Sequence, residues 1–322
     1  MTRDAADVEF CKNLLQKYRA IKNRIVILCE GDRNYLKVKT PQQYGQLEEY
    51  QDAAFWKETI PRWWREKKPV FIPCSGRTQV LKIREILLNL HNQDQSNSYL
   101  CPEKLFILID LDLQPAAIGH EYDTEKLYYD LYQNGLIVPQ VINQYQTIIT
   151  GLIHKEAYFL EPDLQGLFND SQYKITYKNQ QLLLDDIYQA MLLTIETDED
   201  LKDNFDTAIA RIKNILSSTP CKASELSQEL NQLFNNPTIN QDLKRQVIIA
   251  ILNIIRVKPF WSEKIIVESQ KNLPEIYLLS PEACRDNLML NIAKFYASKY
   301  QKSSAINHQY HVCQWIKYLY EL

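Results

Sequence analysis

Three short runs, "IVILC" closing 24–29, "PVFIPC" at 69–74 and "LFILI" closing 104–109, are apolar at nearly every position. A strand that faces water on one side alternates apolar and polar residues, whereas one that reads as a continuous apolar run is covered on both faces. The segments between these runs carry helical patterns. "TPQQYGQ" offers Thr40 as an N-cap with Pro41 at the first helical position, and "RTQVLKIREILLNLH" repeats Val80, Ile83, Leu87 and Leu90 at helical spacing. "TEKLYYDLYQNG" reads as a helix stopped by Gly135. A fourth strand is expected within "LIVPQVINQYQTII" (136–149), its register blurred by Pro139. Strands alternating with helices predict a parallel α/β sheet flanked by helices.

The pattern changes near residue 155. Helices are expected at 181–196, 200–217, 223–235, 240–255, 282–299 and 308–321, with Ser280 and Pro281 as a start signal, and Gly166 is the last glycine. "VIIAILNII", apolar on every side, predicts a buried central helix, and 256–281 reads equally as strand or loop. No repeat recurs at a fixed period. The chain thus divides into an α/β domain over 1–156 and a mainly α-helical domain over 157–322 whose role the residues do not reveal.

The seven cysteines (11, 29, 74, 101, 221, 284 and 313) form no CxxC pair, and several lie inside apolar runs, as reduced buried thiols of a cytoplasmic protein do. No signal peptide and no membrane span are expected, because "VIIAILNII" is too short to cross a bilayer and is interrupted by Asn253. A net charge of -3 does not mark a nucleic-acid binder, yet Lys57 to Arg84 holds eight basic residues against two acidic ones. Such a stretch attracts phosphates; a solvated surface is the competing reading. Trp56, Trp63 and Trp64 lie amid it, at spacings that suit stacking on bases and also suit packing one helix face, the second being preferred.

Two of the strands end on acids. Glu30 follows the first run by one residue, and Asp110 follows the third, with Asp112 two positions on. In a parallel sheet the ligand site lies beyond the carboxyl ends of the strands, so Glu30 and Asp110 are expected to meet at one edge despite their separation in sequence. Asp112 would share the face of Asp110 if the extended conformation continued. Converging carboxylates repel, and a divalent cation that prefers oxygen donors, Mg²⁺ or Mn²⁺, relieves the repulsion. A turn former or helix cap is the plainer reading of each acid alone.

"ILCEGDRN", "PCSGRTQVLKI" and "LFILIDLDLQP" together resemble the three signature elements of the Toprim domain, found in topoisomerases, bacterial primases and nucleases of the overcoming-lysogenization-defect (OLD) type. The likeness spans residues 24 to about 156 and implies a Toprim-like Rossmannoid sheet. It further implies that Glu30 is a metal ligand or general acid/base and that Asp110 and Asp112 hold the cation. Where such nucleases commonly have another acid four residues after the glutamate, this chain has Asn34; Asp32 lies in a different register, which puts a second metal in doubt. "GLIHKEAYFLEP" is similar to the Glu-x-Tyr segment of Toprim-like proteins of prokaryotic defence systems, which makes Glu156 a further metal candidate and Lys155, or His154, a stabiliser of charge on phosphate. An amphipathic helix start with exposed charges is the alternative there.

Ser75, Gly76 and Arg77, at the junction of the second strand and its helix, would offer backbone N–H groups and a guanidinium to phosphate or nucleic acid; equally, Gly76 would serve only to let the chain turn. No GxxxxGK[ST] motif exists, which excludes a P-loop, and no GxSxG supports a serine hydrolase. Haloacid-dehalogenase phosphohydrolases also carry Asp-x-Asp after an apolar strand, but Gln114 stands where they need threonine. Glycosyltransferases with an Asp-x-Asp leave Glu30 and Gly31 unexplained. His308, His311 and Cys313 lack a second cluster to complete four ligands and read as helix residues.

The expectation is a Mg²⁺-dependent nuclease acting on DNA or RNA in the cytoplasm, with no membrane association. Family likeness alone adds a role as a defence effector, an ATPase or other defence-system partner, and homo-oligomerisation. The alternatives are a Toprim-like nucleic-acid-binding or scaffold protein without chemistry, and a metal-dependent phosphohydrolase.

Overall fold

The computed structural model describes residues 3–31, 41–118, 122–133, 136–170, 175–266, 281–300 and 310–322. Asp32, Asn34, Thr40, Gly135, Ser280, His308 and residues 267–280 lie outside the described residues. By packing, the chain forms two compact units, one of Met1–Asp110, Ala117–Thr150 and Ala293–Leu322, the other of Leu111–Ala116 and Gly151–Ile292. The expected cut at 156/157 is linear; these units are not.

The first unit is built on four parallel strands, β1 (Val26–Cys29), β2 (Val70–Pro73), β3 (Leu105–Ile109) and β4 (Thr147–Ile149), in spatial order β2-β1-β3-β4. Val26 pairs with Val70 on one side and Leu105 on the other. Every residue of the four strands is buried, as the uninterrupted apolar runs require. Helix α1 (Arg3–Lys17) packs on α3 (Arg77–Gln93), and α3 covers β1 and β3; α2 (Gln51–Glu58) covers β2 and α4 (Thr124–Leu131) covers β4. Asp123 caps α4, its Oδ1 accepting the Lys126 N–H at 2.7 Å. The expected fourth strand is real only in its last three residues. Its apolar start, Leu136–Ile137, pairs instead with Tyr132–Gln133 in a small antiparallel ribbon, and Pro139 opens helix α5 (Pro139–Tyr145).

The second unit is dominated by helices: α6 (Leu184–Leu192), α7 (Phe205–Ile212), α8 (Ala223–Phe234) and α9 (Gln241–Ile254). Helix α9 contains the all-apolar run, packs against α6, α7 and α8, and buries Val247, Ile248, Ala250, Ile251, Leu252 and Ile254. Helix α10 (Pro281–Lys299) and helix α11 (His311–Glu321) follow, and α11 packs in the first unit against Leu136–Ile137. Among the described residues no helix is long and apolar enough to cross a membrane.

Candidate functional site

β2 lies on one side of β1 and β3 on the other, with β4 beyond β3, so β1 and β3 flank the switch point of the sheet, and in such sheets ligands bind beyond the carboxyl ends of the strands at that point. Glu30 and Asp110 are the first residues beyond these two strands. They do meet: Glu30 Oε1 accepts the backbone N–H of Asp110 at 3.0 Å, and both residues are half-buried. Gly31 follows with φ +156°, a conformation side chains rarely adopt, and a Cβ there would lie 2.7 Å from Asp52 Oδ2 and 2.8 Å from Asp52 Cβ. A side chain at 31 is therefore excluded both by torsion and by space.

The second sequence element reaches the same edge. The Gly31 N–H donates to the Ser75 carbonyl at 2.9 Å, continuing the ladder in which the Cys74 N–H donates to the Cys29 carbonyl at 2.8 Å. The turn that follows is made by Ser75, at φ +72°, and not by Gly76, whose φ of -78° any residue tolerates and whose missing Cβ would touch nothing within 4 Å. Gly76 is the N-cap of α3 and has no side-chain capping bond, and its carbonyl accepts the Gln79 N–H at 2.9 Å and the Val80 N–H at 3.1 Å.

Asp112 departs from the expected extension. β3 ends at Ile109, and Asp112 has φ +34°, so strand alternation does not carry past Asp110 and the pair does not share one strand face. Asp112 belongs to the second unit, where its N–H donates to the Ile153 carbonyl at 2.8 Å. The buried guanidinium of Arg211 donates to the carbonyls of Asp112, Leu111 (3.4 Å) and Asn253 (3.3 Å). Left-handed backbone at a non-glycine residue is costly and persists only where surroundings over-determine it. Arg211, in the last turn of α7, has no signal in the sequence to connect it with Asp112.

The segment after β4 is no exposed helix start. Lys155–Leu160 is a 3-10 helix in which Lys155, Ala157, Tyr158, Phe159 and Leu160 are buried. Glu156 Oε2 lies 3.1 Å from His154 Nδ1, and its Oε1 lies 3.8 Å from Lys155 Nζ. Burial alone would raise the Glu156 pKa, but Lys155, then His154 and Lys258, outweigh it and hold the carboxyl well below the usual carboxylate range. His154 Nε2 accepts the Val257 N–H at 3.1 Å, so that nitrogen carries no proton.

Trp56 and Trp64 are packing residues. Trp56 stacks edge-on to Trp315 at 5.6 Å, and Trp64 meets Tyr320 at 5.0 Å. Part of the basic stretch is likewise paired internally, Lys57 with Glu48 at 3.5 Å and Lys82 with Asp7 at 2.7 Å. His311 lies 4.7 Å from the Tyr132 ring, and burial pushes its pKa down to about 4. The described cysteines are all free thiols, with Cys11, Cys29, Cys74 and Cys313 buried.

Among the described residues, no three or more His, Cys, Asp or Glu side chains gather into a group able to hold a metal by themselves. Mg²⁺ is commonly bound through one or two carboxylates, keeping several waters and taking further ligands from a substrate phosphate, so two acids at one edge are compatible with that ion. The geometry defines a doubly wound α/β unit with a carboxylate pair and a helix start at its switch point. Compared with protein-family models, curated proteins and solved structures, the chain has no significant match.

Proposed function

We propose that the chain is a Mg²⁺-dependent nuclease of Toprim type that cleaves phosphodiester bonds in nucleic acid. The observation that supports this reading is the meeting of Glu30 and Asp110 at the switch point, with the Ser75–Arg77 turn hydrogen-bonded to the same edge through Gly31. Glu30 and Asp110 would hold the cation. When bound, Mg²⁺ or Mn²⁺ supplies Lewis-acid polarisation of the scissile phosphate.

The protein's own groups do the rest. Glu30, whose Oε1 accepts the Asp110 N–H, would take a proton from the attacking water as its oxygen bonds to phosphorus and the ester oxygen departs, to be protonated by solvent. Arg77 and the first N–H groups of α3 orient the phosphate. A role as a defence effector with an ATPase partner follows from family likeness alone.

Incubation of the purified chain with plasmid, single-stranded DNA and RNA, in Mg²⁺, Mn²⁺ or EDTA, tests the proposal beside an Asp110→Ala, Asp112→Ala double variant. Metal-dependent cutting that disappears in the variant is expected. Metal-independent binding without cutting would instead establish the scaffold reading, and phosphate release from small esters with intact polymers would establish a phosphohydrolase.

A further inference from the structure

The second unit contains a cleft of about 270 Å³ whose charged lining is Asp112, Asp200, Arg256 and Lys258, with buried His154 at its wall. This is slightly below the ~300–1,000 Å³ usual for small-molecule sites, large enough for one phosphate-bearing unit and far too small for a duplex. Its cationic lip is built. Val257 is fully buried and its N–H is fixed to His154 Nε2, while Arg256 and Lys258 on either side of it are exposed. Asp200 Oδ2 holds Arg256 Nη1 at 2.9 Å and Asp198 Oδ2 lies 3.8 Å from its Nε, an arrangement that orients a guanidinium whose five N–H donors exceed what those two acids occupy.

The cleft is also lined by Asp112, in the strained loop that Arg211 clamps. An anion facing Arg256 and Lys258 would be repelled by the Asp112 carboxylate unless a cation travelled with it. We infer that this cleft binds the phosphate groups of a single nucleotide, or free pyrophosphate, together with a divalent cation on Asp112. The inference takes from the proposed function only that the chain uses Mg²⁺ or Mn²⁺; the cleft, its basic lip and Asp112 stand without it.

Calorimetric titration of the full chain with ADP and with pyrophosphate, each in Mg²⁺ and in EDTA, tests it. Saturable binding in Mg²⁺ is expected, weakened at least about tenfold by Lys258→Glu and by EDTA, and retained by Lys258→Arg. ADP binding without pyrophosphate binding would assign the site to nucleotides, and the reverse to the inorganic anion. Since Lys258 is exposed, matching thermal unfolding of Lys258→Glu and wild type serves as the folding control. Glu30→Gln separates this inference from the nuclease: cleavage should vanish while ADP binding stays within about twofold. Absence of saturable binding up to about 10 mM ligand, equal affinity of Lys258→Glu and wild type, or loss of binding in Glu30→Gln would overturn it.

Discussion

The Glu30 carboxylate accepts the backbone N–H of Asp110, across adjacent parallel strands and 80 positions of sequence. One acid thereby fixes where the other begins. A side-chain oxygen from the first residue after β1 thus accepts the first backbone donor after β3.

Separating the two duties of Glu30 is the first prediction. Glu30→Gln keeps an acceptor for Asp110 and should change unfolding free energy by less than about 1 kcal/mol, while Glu30→Ala leaves that N–H wanting and should cost about 1–3 kcal/mol. Both should lower Mg²⁺-dependent cleavage by at least ~100-fold. Urea unfolding and a plasmid-nicking assay read the two effects independently; cleavage by Glu30→Gln near the wild-type rate would remove Glu30 from the chemistry.

Gly31→Ala should destabilise by about 1–3 kcal/mol, because the new Cβ meets Asp52 Oδ2 at 2.7 Å and the torsion is unfavourable as well. Adding Asp52→Gly should return only part of the loss, since the backbone term remains. Full recovery in the double variant, seen by chemical denaturation, would show that crowding alone mattered.

Acid sensitivity should trace to Glu156. Its folded pKa lies below the unfolded value of ~4.3, so the folded chain binds fewer protons; the stabilisation is complete above that unfolded pKa and is lost as pH falls through the folded value. Glu156→Gln should flatten the acid limb of a stability-against-pH curve and, at pH 7, cost about 3 kcal/mol by removing the carboxylate beside buried Lys155. An unchanged acid limb would assign the lability to other groups.

Half-buried His311 acts over a different window. Its pKa falls from the ordinary ~6.5 to about 4 in the folded chain, so the unfolded chain binds more protons between these values and stability should rise with pH across that interval. His311→Gln should remove that slope in thermal melts recorded from pH 4 to about 7, leaving the more acidic limb in place.

Arg211→Met should cost about 3 kcal/mol or more, because the carbonyls of Leu111, Asp112 and Asn253 lose a buried charged donor. Arg211→Lys should recover little, lacking the planar fork that reaches several carbonyls. If Arg211→Met unfolds at the wild-type urea concentration, the Asp112 loop does not depend on this clamp.

Much of the sheet was legible because its evidence is local. Continuous apolar runs mark β1, β2 and β3 within about two residues, and the switch-point rule brings Glu30 to Asp110. The helices around "VIIAILNII" follow from the same periodicity. Asp112 would share a face with Asp110 only if the strand continued; it stops at Ile109, and nothing local announces φ +34° at an aspartate. Gly76 drew attention as the turn residue when the left-handed position is Ser75. Arg211 and the Arg256–Lys258 lip stayed hidden for another reason: each acquires meaning only through partners tens of residues away.

The discontinuous first unit has a consequence for biosynthesis. Trp56 and Trp64 leave the ribosome well before the Trp315 and Tyr320 rings that cover them are translated. At ~5–20 residues per second, these indoles wait on the order of ten seconds or more for their covering helix. During that interval the nascent chain exposes greasy surface to which a chaperone would bind, and a premature stop after Ile292 would leave it exposed for good.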